Sequence, residues 1–183
     1  SDLERDKLRI IANEIERYKK EYNLIDFNDM ILKFIKSDKS PNFDVVFIDE
    51  AQDLSLMQWD MAKTIWNKTE DSFIAGDDDQ AIFRWAGADV DSFIAQKGLM
   101  MPLQQSHRIP AKVHNVAMGI INKIRNRIDK TWKPKVHEGS LSRYDEFEQI
   151  DMSNGEWLVL ARTKYMLNDL EESLYRDGRY YVN

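Results

Sequence analysis

Two short apolar runs, each ending in a cluster of acids and an amide, constrain this chain more than any other feature. The first is "VVFIDEAQDLS" (45–55) and the second is "FIAGDDDQAIFRWAGAD" (73–89). A brief β-branched or aromatic run bounded by polar residues has the form of a strand buried in a parallel sheet. In open α/β sheets, ligands collect outside the carboxyl ends of the strands. Asp49 and Glu50 fall at one such end, and Asp77 to Gln80 at the other. Carboxylates there suit a divalent cation, because Mg2+ is held through one or two carboxylates together with phosphate oxygens and waters. An adjacent acid is placed to position or deprotonate an attacking water. The rival explanation is electrostatic: acids at a helix N-terminus complement its dipole. A lone Asp-Glu pair fits that account, but a second strand ending in "GDDDQ" favours the cation and a nucleotide phosphate.

Periodicity organises the rest of the chain. Helices are predicted over 2–22, with apolar Leu3, Leu8, Ile11, Ile15 and Tyr18 on one stripe, and over 26–36 with Asp26 as N-cap. Others are predicted over 54–68, with Met57, Met61 and Ile65 in register, and over 89–98, closed by Gly98. Two more span 110–128, opened by Pro110, and 166–178, stopped by Gly178. Strands are predicted over 43–49, 72–76, 99–105, 156–162 and 179–183, with loops at 37–42 and 131–140. Alternating strands and helices define an α/β class with parallel sheets flanked by helices.

Composition narrows the partners. The chain has 183 residues, 43% hydrophobic and 32% charged, enough to build a core. It has no cysteine, which excludes a disulfide framework and a cysteine zinc site. No apolar run reaches the length of a membrane span and no signal peptide opens the chain, so a soluble, cytoplasmic protein is the expectation. The net charge of −6 argues against a surface that wraps nucleic acid throughout. The charge is uneven, with an acidic excess in 1–100 and a slight basic excess in 101–183. A domain border near residue 100 follows.

"IDEAQD" (48–53), "AGDDDQAIFRWAGAD" (75–89) and "LQQSHRIP" (103–110), in that order and spacing, resemble superfamily 1 DNA helicases of the UvrD/Rep/PcrA type. "DFNDMI" (26–31) and "EWLVLARTKYMLNDLEESL" (156–174) match further stretches of that family. The resemblance implies two RecA-like motor domains that close on Mg2+ and ATP, with single-stranded DNA across their tops. Residues 1–98 would be the C-terminal part of the first motor domain, with 1–24 the end of an inserted helical subdomain. Residues 99–183 would begin the second.

By that resemblance Asp49 holds Mg2+, with Glu50 beside it as general base for water. Gln52 links phosphate state to domain movement, and Asp53 is structural. Gln80 senses the γ-phosphate, and Arg108 is an arginine finger acting in cis. His107 stands where the family usually has a tyrosine on the adenine; a solvated loop histidine is the plainer alternative. Phe83 and Trp85 occupy DNA-stacking positions, with Arg84 between them on the same DNA-facing segment. Two core aromatics are the alternative there. Ala86 departs from the arginine common in the family. Arg162 and Lys164 are candidate DNA-phosphate contacts. The basic run Lys123, Arg125, Arg127, Lys130, Lys133 and Lys135, broken only by Asp129, is read as a solvated helix face, with a DNA contact as the alternative.

None of the seven glycines is followed by lysine, so the phosphate-cradling Gly-Lys-Ser/Thr loop is absent from this chain. The final arginine motif of the family is absent as well. The expectation is an internal piece of a longer helicase that moves 3′ to 5′ on single-stranded DNA and opens duplex junctions, inactive on its own. The alternatives are a non-catalytic helicase-like DNA-binding or scaffold subunit, a metal-dependent nuclease, and the helicase part of a helicase-nuclease. Against the nuclease, no lysine lies near either acidic cluster in sequence.

Overall fold

The computed structural model describes residues 2–37 and 39–182. Asp38, in the predicted loop 37–42, and Asn183, in the predicted last strand, lie outside the described residues. Helix α1 (Asp2–Glu21) leads through a tight turn into α2 (Phe27–Ser37). Asp26 caps α2 as expected: its Oδ1 accepts the Asp29 N–H at 2.8 Å, while Asp29 Oδ2 accepts the Asp26 N–H at 3.0 Å. Lys19 reaches back from α1 to both carboxylates, at 3.1 and 2.9 Å, and to Glu16 at 2.5 Å. Its hydrogen bonds to Glu16 and Asp29 hold the ammonium well above the ordinary lysine range. Of the expected apolar stripe of α1, the Leu3 side chain lies outside the described part, and Leu8, Ile11, Ile15 and Tyr18 remain exposed.

The sheet has two parallel strands, β1 (Val45–Ile48) and β2 (Asp71–Ile74), in register from Val45 opposite Asp71 to Ile48 opposite Ile74. Helix α3 (Leu56–Trp66) is the crossover between them. Its start is fixed by a capping box in which the Ser55 side chain accepts the Gln58 N–H and the Gln58 side chain accepts the Ser55 N–H. Trp59 of α3 is the largest fully buried side chain, packed edge-on to Trp66 and donating its indole N–H to the Asp89 carbonyl at 3.3 Å. Ala51, Ala62, Val90 of α4 (Val90–Ile94) and Leu170 are the other buried apolar side chains among the described residues.

β1 is not buried on both faces, contrary to expectation. Phe47 is 76% exposed and stacks on Phe73 at 4.9 Å on the open side. Helix α3 lies against β1, and among the described residues no helix covers the other face.

Helix α5 (Ala111–Ile121) follows Pro110, as read from the sequence, but stops short of 128. The Ile128 N–H is used by the Asp78 carboxylate at 2.7 Å, a tertiary bond that takes the chain out of helical register. Helix α6 (Asn168–Arg176) is preceded by a 3-10 turn at Lys164–Leu167. The predicted strands 99–105 and 156–162 do not form, nor does the described part of 179–183; the first is reduced to one bridge, Gln105 to Lys133. A strand exists only in a ladder, and among the described residues these segments have no ladder beyond that bridge; the Arg179 N–H goes instead to the Leu174 carbonyl at 2.9 Å. Leu99, Leu103, Leu158 and Leu160 are accordingly exposed.

Candidate functional site

Beyond Ile48 the parallel pairing continues by two bonds: the Ala75 N–H donates to the Ile48 carbonyl at 2.7 Å, and the Ala51 N–H to the Ala75 carbonyl at 3.0 Å. The two acidic clusters therefore emerge side by side. Between the bonds, β1 turns sharply at Glu50, which lies in the left-handed region at φ 51 and ψ 38. A side chain other than Gly, Asn or Asp is costly in that conformation, and such strain gathers at sites where geometry matters. The turn points the Asp49 and Glu50 side chains outward, and both are exposed. Asp49 keeps one oxygen tied to the Glu50 N–H at 2.9 Å. This donor set, hard carboxylate oxygen with an open side, fits Mg2+ held by few protein ligands.

Gln52 is buried, 2% exposed, and spans the gap between the strand ends. Its Nε2 donates to Glu50 Oε2 at 2.7 Å, and its Oε1 accepts the Asp77 N–H at 2.9 Å. Asp77 Oδ2 then accepts from Gln80 Nε2 at 2.6 Å. Glu50, Gln52, Asp77 and Gln80 thus form one hydrogen-bonded chain. It requires glycine at position 76, where a Cβ would lie 2.7 Å from Gln52 Oε1 and 3.0 Å from the Phe93 ring.

From Gln80 the chain runs through a 3-10 turn at Arg84–Ala86. Trp85 is 84% exposed and Phe83 about half as much, which places Trp85 outside the core. Arg84 is paired with Asp91 at 3.2 Å. His107 and Arg108 sit on an exposed loop whose backbone is fastened to 133–135: the Ser106 N–H donates to the Lys133 carbonyl at 2.8 Å and the Lys135 N–H to the Ile109 carbonyl at 2.9 Å. Arg162 and Lys164 are exposed. Among the described residues no hydrogen bond or ion pair joins His107, Arg108, Arg162 or Lys164 to the strand-end chain.

Arg127 and Lys130 depart from the solvated helix face read for the basic run. Their side chains are 16% exposed and lie against the acids of 77–79. Arg127 grips Asp79 with two bonds of 2.8 Å. Lys130 contacts Asp77 and Asp79 at 3.0 Å and Asp78 more closely still. Asp78 and Asp79 side chains are only 2% and 3% exposed. Burial pushes the Asp79 carboxyl up, but Arg127 and Lys130 outweigh it and hold it below its ordinary value. Burial likewise pushes Lys130 down, and the three carboxylates reverse that and raise it. The sequence signal for this cluster was the charge complementarity between three consecutive aspartates and a basic run with a single acid.

Residues 1–99 match the family model of the UvrD/REP helicase N-terminal domain. The match covers more than half of the chain, and the chain belongs to this family. It is similar to a probable DNA helicase II homolog of Rickettsia conorii, 25% identical over 94% of this chain and 27% of that protein. It is also similar to DNA helicase II of Haemophilus influenzae, 28% identical over 70% of this chain and 20% of that one. ATP-dependent DNA helicase PcrA of Bacillus subtilis is 25% identical over 86% of this chain and 26% of its own length. The chain thus spans roughly a quarter of the length of the curated relatives it matches.

Proposed function

We propose that this chain is part of an ATP-dependent DNA helicase, in which RecA-like motor domains couple Mg2+-ATP hydrolysis to 3′ to 5′ movement on single-stranded DNA and opening of duplex junctions. The observation that carries the reading is the hydrogen-bonded chain from Glu50 through Gln52 and Asp77 to Gln80. Family membership supports it, as do relatives named as DNA helicases. In this reading Asp49 would hold Mg2+ by its free oxygen, and the bound ion would supply neutralisation of phosphate charge. Glu50 takes a proton from the attacking water. Gln80 meets the terminal phosphate, and Gln52 transmits its position to the other strand end. Arg108 and His107 serve the nucleotide from residues 99–183, the start of a second motor domain. Phe83 and Trp85 stack on bases, with Arg84, Arg162 and Lys164 on the DNA side.

The nuclease alternative gains one feature in space, since Lys130 does lie among the carboxylates of 77–79. Those oxygens approach within 4.8 Å of one another, as a metal site would need. The Lys130 ammonium already fills the position, and two of the three side chains are buried. Within 77–79 that leaves no open carboxylate pair for a metal and a phosphodiester.

Glu50→Gln in the longer helicase containing this chain tests the proposal. DNA-stimulated ATP hydrolysis is expected to fall by several orders of magnitude while ATP binding persists, because the amide keeps the shape and removes the base. Turnover near wild type would refute the assignment.

A further inference from the structure

The Asp77 carboxylate has three partners, one of them the Asp79 N–H, which donates to Oδ1 at 3.2 Å. One oxygen accepts from Gln80 at 2.6 Å and the other faces the Lys130 ammonium at 3.0 Å. Lys130 belongs to a segment docked along the whole acidic loop. Asn126 donates to Asp91 at 2.6 Å, Arg127 holds Asp79, and the Ile128 N–H holds Asp78. These bonds join residues 35 to 50 positions apart. Charge-assisted bonds are stronger than neutral ones, and buried carboxylates cannot lose their cation cheaply. The segment therefore sets where the loop sits.

We propose that Lys130, supported by Arg127, is a positioning residue for Gln80, acting through the Asp77 carboxylate and coupling segment 126–130 to the strand-end chain. The inference rests on the motor reading and adds a control point to it. With Asp77 Oδ1 held by Lys130 together with the Asp79 N–H, the other oxygen is left aimed at the Gln80 amide, which fixes the direction of that side chain. The Asp77 backbone N–H holds Gln52 at the same time. A shift of segment 126–130 relative to β2 therefore moves both glutamines together. Arg127 and Lys130 share Asp79 Oδ2, at 2.8 and 3.0 Å, which ties the two cations into one cluster.

The test uses Lys130→Met and Lys130→Arg in the longer helicase containing this chain, with Glu50→Gln beside them. Lys130→Met is expected to lower the DNA-stimulated kcat roughly 10- to 100-fold, a usual loss when the partner that orients a site residue is removed. The KM for ATP should change little, and Lys130→Arg should restore most of the rate. A purely structural role would lower the melting temperature and raise KM without that split. Unchanged kcat in Lys130→Met overturns the proposal, as does an arginine variant as slow as the methionine one. If Lys130→Met does not fold, Asp77→Ala reads the same link from a partly exposed position. It should show the same kcat loss at constant KM, and wild-type turnover in it overturns the proposal. Loss of activity in Glu50→Gln with no effect at Lys130 or Asp77 rejects this inference alone. Retained activity in Glu50→Gln rejects the motor reading itself.

Discussion

At the residue scale the site depends on close approach. Gly76 passes so near the Gln52 amide and the Phe93 ring that a methyl group cannot enter without displacing one of them. Gly76→Ala is expected to cost about 1–3 kcal/mol of stability, the usual range for overpacking a fitted site. Chemical denaturation would measure it, and an unchanged midpoint would contradict the geometry. Residue types at the strand ends were legible from sequence because carboxylates after an apolar run are chemically unusual. The left-handed backbone at Glu50 was not legible, since nothing about a glutamate announces that conformation. Gln52 was legible as a linking residue only by family resemblance. Its burial and its two partners come from the sheet that brings position 77 beside it.

At the element scale, most local units agree with the sequence reading, although the helix expected over 89–98 ends at Ile94 rather than at Gly98, and dependent units do not. The Asp26 cap, β1, β2 and the crossover α3 follow from patterns within a few residues of each other. The segments 99–105 and 156–162 carry strand-like composition, but a strand needs a neighbour to pair with, and β-propensity expresses that context. Segment 122–130 was misread for the opposite reason. Helical periodicity continued, while tertiary bonds to Asp78 and Asp79 took over its backbone and cations. The ionic cluster between that segment and the acidic loop sets a pH dependence. Asp79 titrates below its ordinary 3.8, so its contribution is complete above that value and is lost as the solution is acidified through the lower folded pKa. Lys130 titrates above its ordinary 10.5, so its contribution is complete below that value and is lost as pH rises through the higher folded pKa. The melting-temperature difference between wild type and Asp79→Asn should stay level from about pH 5 to 9 and shrink in stronger acid. A difference that changes through neutrality would contradict the pairing.

At the scale of the whole molecule, the chain joins two strand ends, a loop with an exposed indole, and a docked basic segment. Among the described residues no helix is long and apolar enough to cross a membrane. On the proposed function, the loop from Gln80 to Trp85 would tie nucleotide state to grip on DNA. Trp85 projects into solvent, so its removal should leave the fold intact. The most direct measurement compares strand separation with ATP hydrolysis in the longer helicase carrying Trp85→Ala. Single-strand affinity is expected to weaken by about 1–3 kcal/mol regardless of base composition, as loss of a stacking platform does. Strand separation should fall further than DNA-independent ATP hydrolysis, so that fewer base pairs open per ATP. A variant that unwinds DNA at the wild-type rate, with the wild-type yield per ATP, would contradict that coupling.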